Sequence, residues 1–392
     1  MSAVPIADAP EGTPPPYSLR ELVLYFLHLG TTGFGGPIAL VGYMQRDLVE
    51  RRGWITLKDY KEGLALAQLA PGPLAAQLAI YLGWLDHGIL GATLVAVAFV
   101  LPSFVMVLVI AALYLAYGGL PWMQGAFYGI GAAVIAIIGR SAYKLTKSTL
   151  GNDRLLWVLF VVSAAVTAWT ESELIWLFVL CGVVALVARS RVPSGAALVL
   201  VPWPWLLTGV HGEAPVSVLV RIASCFAEAG AFVFGSGLAI VPFLHGAVVN
   251  DLHWLTERQF LDAVAVAMIT PGPVVITVAF IGYLVAGPVG ALVAAVAVFL
   301  PCYLLVVVPA RYFRRSVHHP KVKAFVDGVT AAAVGAIAGA AFVLGRRAVF
   351  DVSTALVALA TLAILTRVKG ISEPLVILGA GVLGIIVTTM AS

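Results

Sequence analysis

An all-α polytopic membrane protein, built as two homologous halves with helices broken inside the bilayer, is the fold class that three observations predict. The 392-residue chain is 61% hydrophobic and 11% charged, with a mean hydropathy of +1.03, whereas soluble domains carry roughly 25% charged residues. No Asp, Glu, Lys or Arg lies between Asp86 and Arg140, or between Asp262 and Arg311, so each stretch crosses or enters the bilayer more than once. Pro71-Gly72-Pro73 recurs 200 residues on as Pro271-Gly272-Pro273, each inside an apolar run. Proline removes a backbone donor and disfavours helix at the residue before it, so each run splits into two half-helices too short to span. Such breaks are tolerated at membrane depth only where backbone lines a cavity or is buried in protein.

Taken in order, Met1 to about residue 17 is rich in Pro and Ala with Asp8 and Glu11. It lacks a basic stretch followed by an apolar core, and reads as a disordered cytoplasmic tail and not a signal peptide. The first transmembrane repeat covers residues 18–190. Leu19 to Thr32 predicts a helix ending at Phe34-Gly35-Gly36-Pro37, a second short helix runs from Ile38 to about Val49, and Arg46 to Trp54 is a charged loop. Beyond the Pro-Gly-Pro hairpin come long apolar segments near residues 88–115, 123–139, 155–170 and 174–188. Residues 191–215, with Pro202-Trp-Pro-Trp205, form a linker with room for one extra span, and 216–392 is the second repeat. Phe34-Gly35, Trp54-Ile-Thr and Pro71-Gly-Pro recur as Phe234-Gly235, Trp254-Leu-Thr and Pro271-Gly-Pro. Leu101-Pro102 and Gly129 recur as Leu300-Pro301 and Gly328. Motifs spaced in register in this way mark an internal duplication.

Charge placement predicts that the repeats are inverted. The loop from Tyr114 to Trp122 is uncharged, whereas its counterpart holds Arg311, Arg314, Arg315, Lys321 and Lys323. Glu171 and Glu173 face Arg367 and Lys369 in the next equivalent pair. By the positive-inside rule these equivalent loops lie on opposite sides; Arg346-Arg347 votes the other way. Lys61 to Asp86 then enters and leaves on one side as a re-entrant hairpin, and inversion brings the second hairpin in from the other side, so that the tips meet near the midplane.

A helix that begins inside a bilayer leaves backbone N–H groups unpaired and carries roughly half a positive charge at that end. Pro73, Pro273 and Pro37 suit the first helical position, and Gly35, Gly36, Gly72 and Gly272 let backbone approach a ligand closely. This is the chemistry of an oxyanion site. The candidate binding set is Phe34, Gly35, Gly36, Pro37, Gln68, Pro71, Gly72, Pro73 and Gln77, with Phe234, Gly235, Ser236, Gly237, Thr270, Pro271, Gly272, Pro273 and Thr277 from the second repeat. Glycine pairs also serve close helix packing, and membrane hydroxyls also bond their own helix, so each has a bland alternative. Charged residues near the breaks are candidates for coupling and gating. His28 and Glu228 occupy matching positions, as do Glu62 and Asp262, which also suit an exposed hairpin entrance; Arg46 sits in the basic loop with Asp47, Arg51 and Arg52.

Phe34-Gly-Gly-Pro37, Arg51-Arg-Gly-Trp54-Ile, Leu66-Ala-Gln-Leu-Ala-Pro71-Gly-Pro73, Phe99-Val-Leu-Pro-Ser103, Phe234-Gly-Ser-Gly237 and Ile269-Thr-Pro271-Gly-Pro273 together resemble the chromate ion transporter family in its long, two-domain form. The match runs from about Ser18 to the C-terminus. The resemblance implies a bacterial inner-membrane carrier that exports chromate and gives chromate resistance, with sulfate as the related oxyanion; it assigns no catalytic residues. The expected N-terminus is cytoplasmic and the C-terminus outside. Efflux driven by protons or membrane potential is the leading expectation. A sulfate or other oxyanion carrier, an importer and an anion uniporter stay as alternatives, and a homodimer stays open.

Other classes have little support. Lys and Arg sit in loops between apolar runs, which topology explains and nucleic acid does not. Cys181, Cys225 and Cys302 lie far apart in apolar runs without metal spacing, so packing is the expectation and no cofactor or metal is predicted. The chain has no P-loop, HExxH or GxSxG, so neither direct ATP coupling nor an enzyme is expected.

Overall fold

The computed structural model describes residues 17–34, 36–117, 121–170, 175–189, 215–232, 240–316, 320–348, 351–368, 371 and 373–391. Among these the regular structure is helical throughout. The expected tail and linker, Gly35 and the Phe234–Gly237 motif lie outside the described residues.

The first repeat begins with four half-helices. Ser18 caps α1 (Leu19–Thr32) in a capping box with Glu21. The chain breaks at Gly33 and Phe34 and resumes as α2 (Gly36–Met44), which passes into a π-helical turn over Gln45–Arg51. The second short helix therefore extends a little beyond the expected Val49, with a wider turn at its end. Thr56 caps α3 (Leu57–Leu69), which stops at the Pro-Gly-Pro tip, and α4 (Leu74–Tyr117) leads away. The second repeat repeats the design with α8 (Pro215–Phe232), α9 (Ile240–His245), a π turn over Gly246–Asp251, α10 (Glu257–Ile269) and α11 (Thr277–Ser316), preceded by a single 3-10 turn at Val274–Ile276. Each repeat closes with three helices: α5 (Pro121–Leu150), α6 (Arg154–Thr170) and α7 (Ile175–Arg189), then α12 (Pro320–Ala348), α13 (Val352–Arg367) and α14 (Glu373–Ala391). Among the described residues, five helices are long and apolar enough to cross a membrane, and three more are apolar but shorter.

Gly88 (φ 59°) and Gly287 (φ 63°) divide α4 and α11 into two arms at equivalent positions. Left-handed backbone of this kind is open to glycine at little cost. The short first arm completes the hairpin, and the second arm of α4, residues 89–117, extends about 43 Å at 1.5 Å per residue.

Contacts show which ends coincide. Tyr17, before α1, stacks on Trp54 at 5.1 Å and donates to Asp86 at the end of the first arm of α4. Both first-repeat hairpins thus open at one end of the molecule. At the far end of α4, Tyr114 donates to Asp262 of α10 at 2.8 Å, and Arg258 donates to the Gln124 carbonyl of α5 at 3.0 Å. The second-repeat hairpins therefore open at the opposite end. The second arms of α4 and α11 run antiparallel, since Tyr303 late in α11 bonds Thr93 early in α4 at 2.7 Å. Equivalent helices that cross antiparallel require a two-fold axis perpendicular to them, so the repeats are inverted, as the loop charges predict.

The repeats also interlock. α12 packs on α6 and α7 of the other repeat, and α5 packs on α13 and α14. Gly129 of α5 lies against Ala380, and its equivalent Gly328 of α12 lies against Cys181, where an added Cβ would strike backbone. Small residues at such seams allow close helix approach where no water drives association. Val306 and Ala310 of α11 join the first repeat's core, while Val107 and Ala111 of α4 join the second's. The two repeats are thus units of sequence that build their hydrophobic cores jointly.

Candidate functional site

The two Pro-Gly-Pro tips lie inside the protein, each leaning on the other repeat. A side chain at Gly72 (φ 138°) would meet the Gln77 amide and Cys302 of α11, and one at Gly272 (φ 101°) would meet Ser103 of α4 and the Gly30 carbonyl of α1. Ser103 and Cys302 are themselves equivalent, each one residue after the Leu-Pro pair, and both are buried. The Gly272 N–H donates to the Gly33 carbonyl at 3.0 Å. The second tip is therefore tied directly to the first repeat's α1–α2 break.

The structure corrects the role of two prolines. Pro73 and Pro273 stand one residue before their helices, where their carbonyls accept from Gln77 N and Ile276 N at 3.0 Å. They close the first helical turn from outside, while Pro37 is the second residue of α2. The consequence for anion chemistry is unchanged. The first-turn amides of α4, at residues 74–76, have no partner within the helix, and Ala75 and Ala76 are buried.

The polar candidates separate by environment. Gln77 is fully buried; its Nε2 donates to the Pro71 carbonyl at 2.5 Å, and its Oε1 accepts no hydrogen bond. Thr270 bonds the carbonyls of Val266 and Ala267, and Thr277 bonds that of Val274, so both hydroxyls donate to their own backbone. Gln68 is exposed, Phe34 is 38% exposed and Pro37 is half-buried.

Among the coupling candidates, His28 and Glu228 sit on exposed faces of α1 and α8, and Glu62 is half-buried. Asp262 is 3% exposed, against the reading of it as an exposed entrance residue, and it is held by Tyr114 from the other repeat. Arg46 pairs with Asp47 at 2.9 Å, and Arg51 reaches the same carboxylate at 3.6 Å. Cys181, Cys225 and Cys302 are free, as packing residues are. The candidate set left out Gly33, Ser103 and Tyr114, whose contacts form only across the two-fold axis; Ser103 was visible as the end of the Phe99–Ser103 motif and by its place after the repeated Leu-Pro pair.

Between α4 and α11 lies a cavity of about 440 Å3 lined by Ala96, Val100, Phe104, Ala295 and Phe299, with the Thr93–Tyr303 pair at its edge. Its lining offers an anion almost no donor.

Inverted repeats, paired broken helices and two hairpin tips buried against the opposite repeat define a membrane transporter architecture. The sequence profile described as "Chromate transporter" matches residues 20–186 and again 220–385, and this chain belongs to the chromate transporter family. It is 60% identical to the chromate transport protein of Cupriavidus metallidurans over 95% of this chain and 94% of that one. It is 55% identical to the probable chromate transport protein of Synechococcus elongatus, over 95% and 96%. A chromate transport protein of Pseudomonas aeruginosa is 34% identical over 83% of this chain and 81% of its own. No solved structure matches.

Proposed function

We propose that this protein is a secondary carrier that moves chromate out of the cytoplasm across a bacterial inner membrane and so confers chromate resistance. The observation that carries the reading is that each Pro-Gly-Pro tip is buried against the other repeat, the first against Cys302 and the second against Ser103, with the second tied through Gly272 N–H to Gly33. The anion sits between the start of α4 at Pro73 and the Phe34–Pro37 break, with Gly272 and Pro273 facing it. Gln68, Thr270 and Thr277 move to the periphery of this site, and Gln77 stays within it. Breaking the Gly272–Gly33 bond frees an amide as the tips part, which links anion binding to alternating access.

Orientation follows from basic residues. The end at which the first-repeat hairpins open gathers Arg51, Arg52, Lys58 and Lys61, the end of α5 with Lys144 and Lys147, and the end of α11 with its run from Arg311. Positive-inside placement makes this end cytoplasmic. A dianion leaving a negative interior then gains roughly 4.6 kcal/mol per 100 mV. Proton coupling would act through Asp262, buried against Tyr114, in preference to His28, Glu228 or Glu62.

The test is chromate uptake into inverted vesicles, with sulfate as competitor and with pH gradient and potential imposed separately. Saturable uptake that an inside-acidic gradient drives, and that Asp262→Asn uncouples while potential-driven flux remains, is the expected result. Uptake driven by potential alone means uniport, and sulfate flux without chromate flux overturns the assignment of cargo.

A further inference from the structure

The two mouths of this inverted pair are not chemically equivalent. In the first, three arginines occupy the loop after α2: Arg46, Arg51 and Arg52. Their equivalents 200 residues on are Gly246, Asp251 and Leu252. Asp47 takes both Arg46 and Arg51. Arg52 has no carboxylate within ion-pair reach among the described residues; Glu21, one turn before Tyr25 on α1, is hydrogen-bonded to Ser18 and meets the Arg52 charge only at longer range. Instead the Arg52 guanidinium lies over Trp54 at 4.4 Å and over Tyr25 at 5.3 Å. Trp54 is itself braced by stacking on Tyr17. Tyr25 is 6% exposed, and its hydroxyl is buried with no hydrogen-bond partner. In the second mouth Cys225 replaces Tyr25, and Trp254 remains but faces Phe226.

Aromatic faces hold an arginine by cation–π attraction without consuming its five N–H donors. The fork of Arg52 is therefore rigid, charged and still able to bind the edge of an oxyanion.

We propose that Arg52, stacked between Trp54 and Tyr25, is an anion-capture site at the first-repeat mouth, and that the second mouth lacks it, so that the carrier loads asymmetrically. The inference rests on the transport reading above and adds its loading side and the residue responsible. Positive-inside topology accounts for arginines in this loop, but not for one that lies over two aromatic rings with no carboxylate in direct contact. A capture site on one side changes the substrate concentration needed there and the rate of encounter; it leaves the equilibrium direction to the driving ion.

The experiment measures chromate KM and Vmax in inverted and right-side-out vesicles for wild type, Arg52→Gln and Arg52→Lys. Loss of one charge-assisted contact raises KM about tenfold in Arg52→Gln, on the first-mouth side alone and with Vmax kept; Arg52→Lys, which keeps the charge and loses the planar fork, falls between. Wild-type KM on that side also rises with ionic strength while KM on the other side does not. Equal salt sensitivity on both sides in wild type overturns the proposal without any variant. So does an Arg52→Gln effect that is the same on both sides or confined to Vmax. Loss of all flux in Arg52→Gln, with both KM values unchanged in Arg52→Lys, overturns it as well. Wild type that moves no chromate from either side refutes the transport reading itself, a result distinct from each of these.

Discussion

Gly272 illustrates how one residue can be fixed by three demands at once. Its φ of 101° is unfavourable for any L side chain, its N–H is committed to Gly33, and its missing Cβ leaves room for Ser103. Gly272→Ala is expected to cost about 1–3 kcal/mol through backbone strain and to abolish transport by pushing the tip off α4. Gly42→Ala, inside α2 with open space around it, is the control; it should be neutral or gain up to about 1 kcal/mol through helix propensity. Melting of the two variants in detergent, with flux measured alongside, separates them. The glycines at the tips were legible because proline frames each one on both sides. The Gly33 carbonyl was not, because its partner is about 240 residues away and the contact belongs to tertiary structure.

At the scale of elements, the half-helices follow from local signals: Ser18, Thr56 and Thr256 cap their starts, and Pro-Gly-Pro stops them. The closing three-helix units depend on long-range ties. Arg189 at the end of α7 binds Asp153 before α6 and Asp327 of α12 at 2.6 Å for the latter pair, joining the two repeats. Asp351, before α13, is reached in turn by Tyr128 of α5. The Arg189 hydrogen bond holds the Asp153 carboxyl below its ordinary range. A carboxylate with a depressed folded-state pKa contributes stability that is fully present above the ordinary aspartate value and is lost as pH falls through the folded value. Arg189→Gln should therefore melt below wild type at neutral pH, and the difference should shrink once the solution is acidified below the aspartate range. A difference that persists unchanged into acid would place the contribution of Arg189 in packing. None of these ties could be read from spacing, since an aspartate beside a helix start reads first as a cap.

For the whole molecule, the duplication and its inversion were legible from motif offsets and loop charges, because both are linear properties of the chain. Interlocking was not, because apolar helices give no sign of which other helices they face. It has a direct experimental reading. A fragment of residues 1–190 leaves α5 without α13 and α14, and leaves α6 and α7 without α12. Expressed alone it should be degraded or aggregate, whereas co-expression with residues 191–392 should let the two fragments copurify and restore chromate flux. Recovery of a stable first fragment by itself would contradict the shared cores.

The exchange of closing helices also bears on how such a chain could have arisen. A single ancestral repeat could not have completed its own core, because the surfaces that cover its α5 belong to a copy facing the other way. A single repeat of this design would need to insert into the membrane in both directions and pair with an oppositely oriented copy. Joining the two halves in one chain gives each a single orientation, so their mouths can differ in sequence.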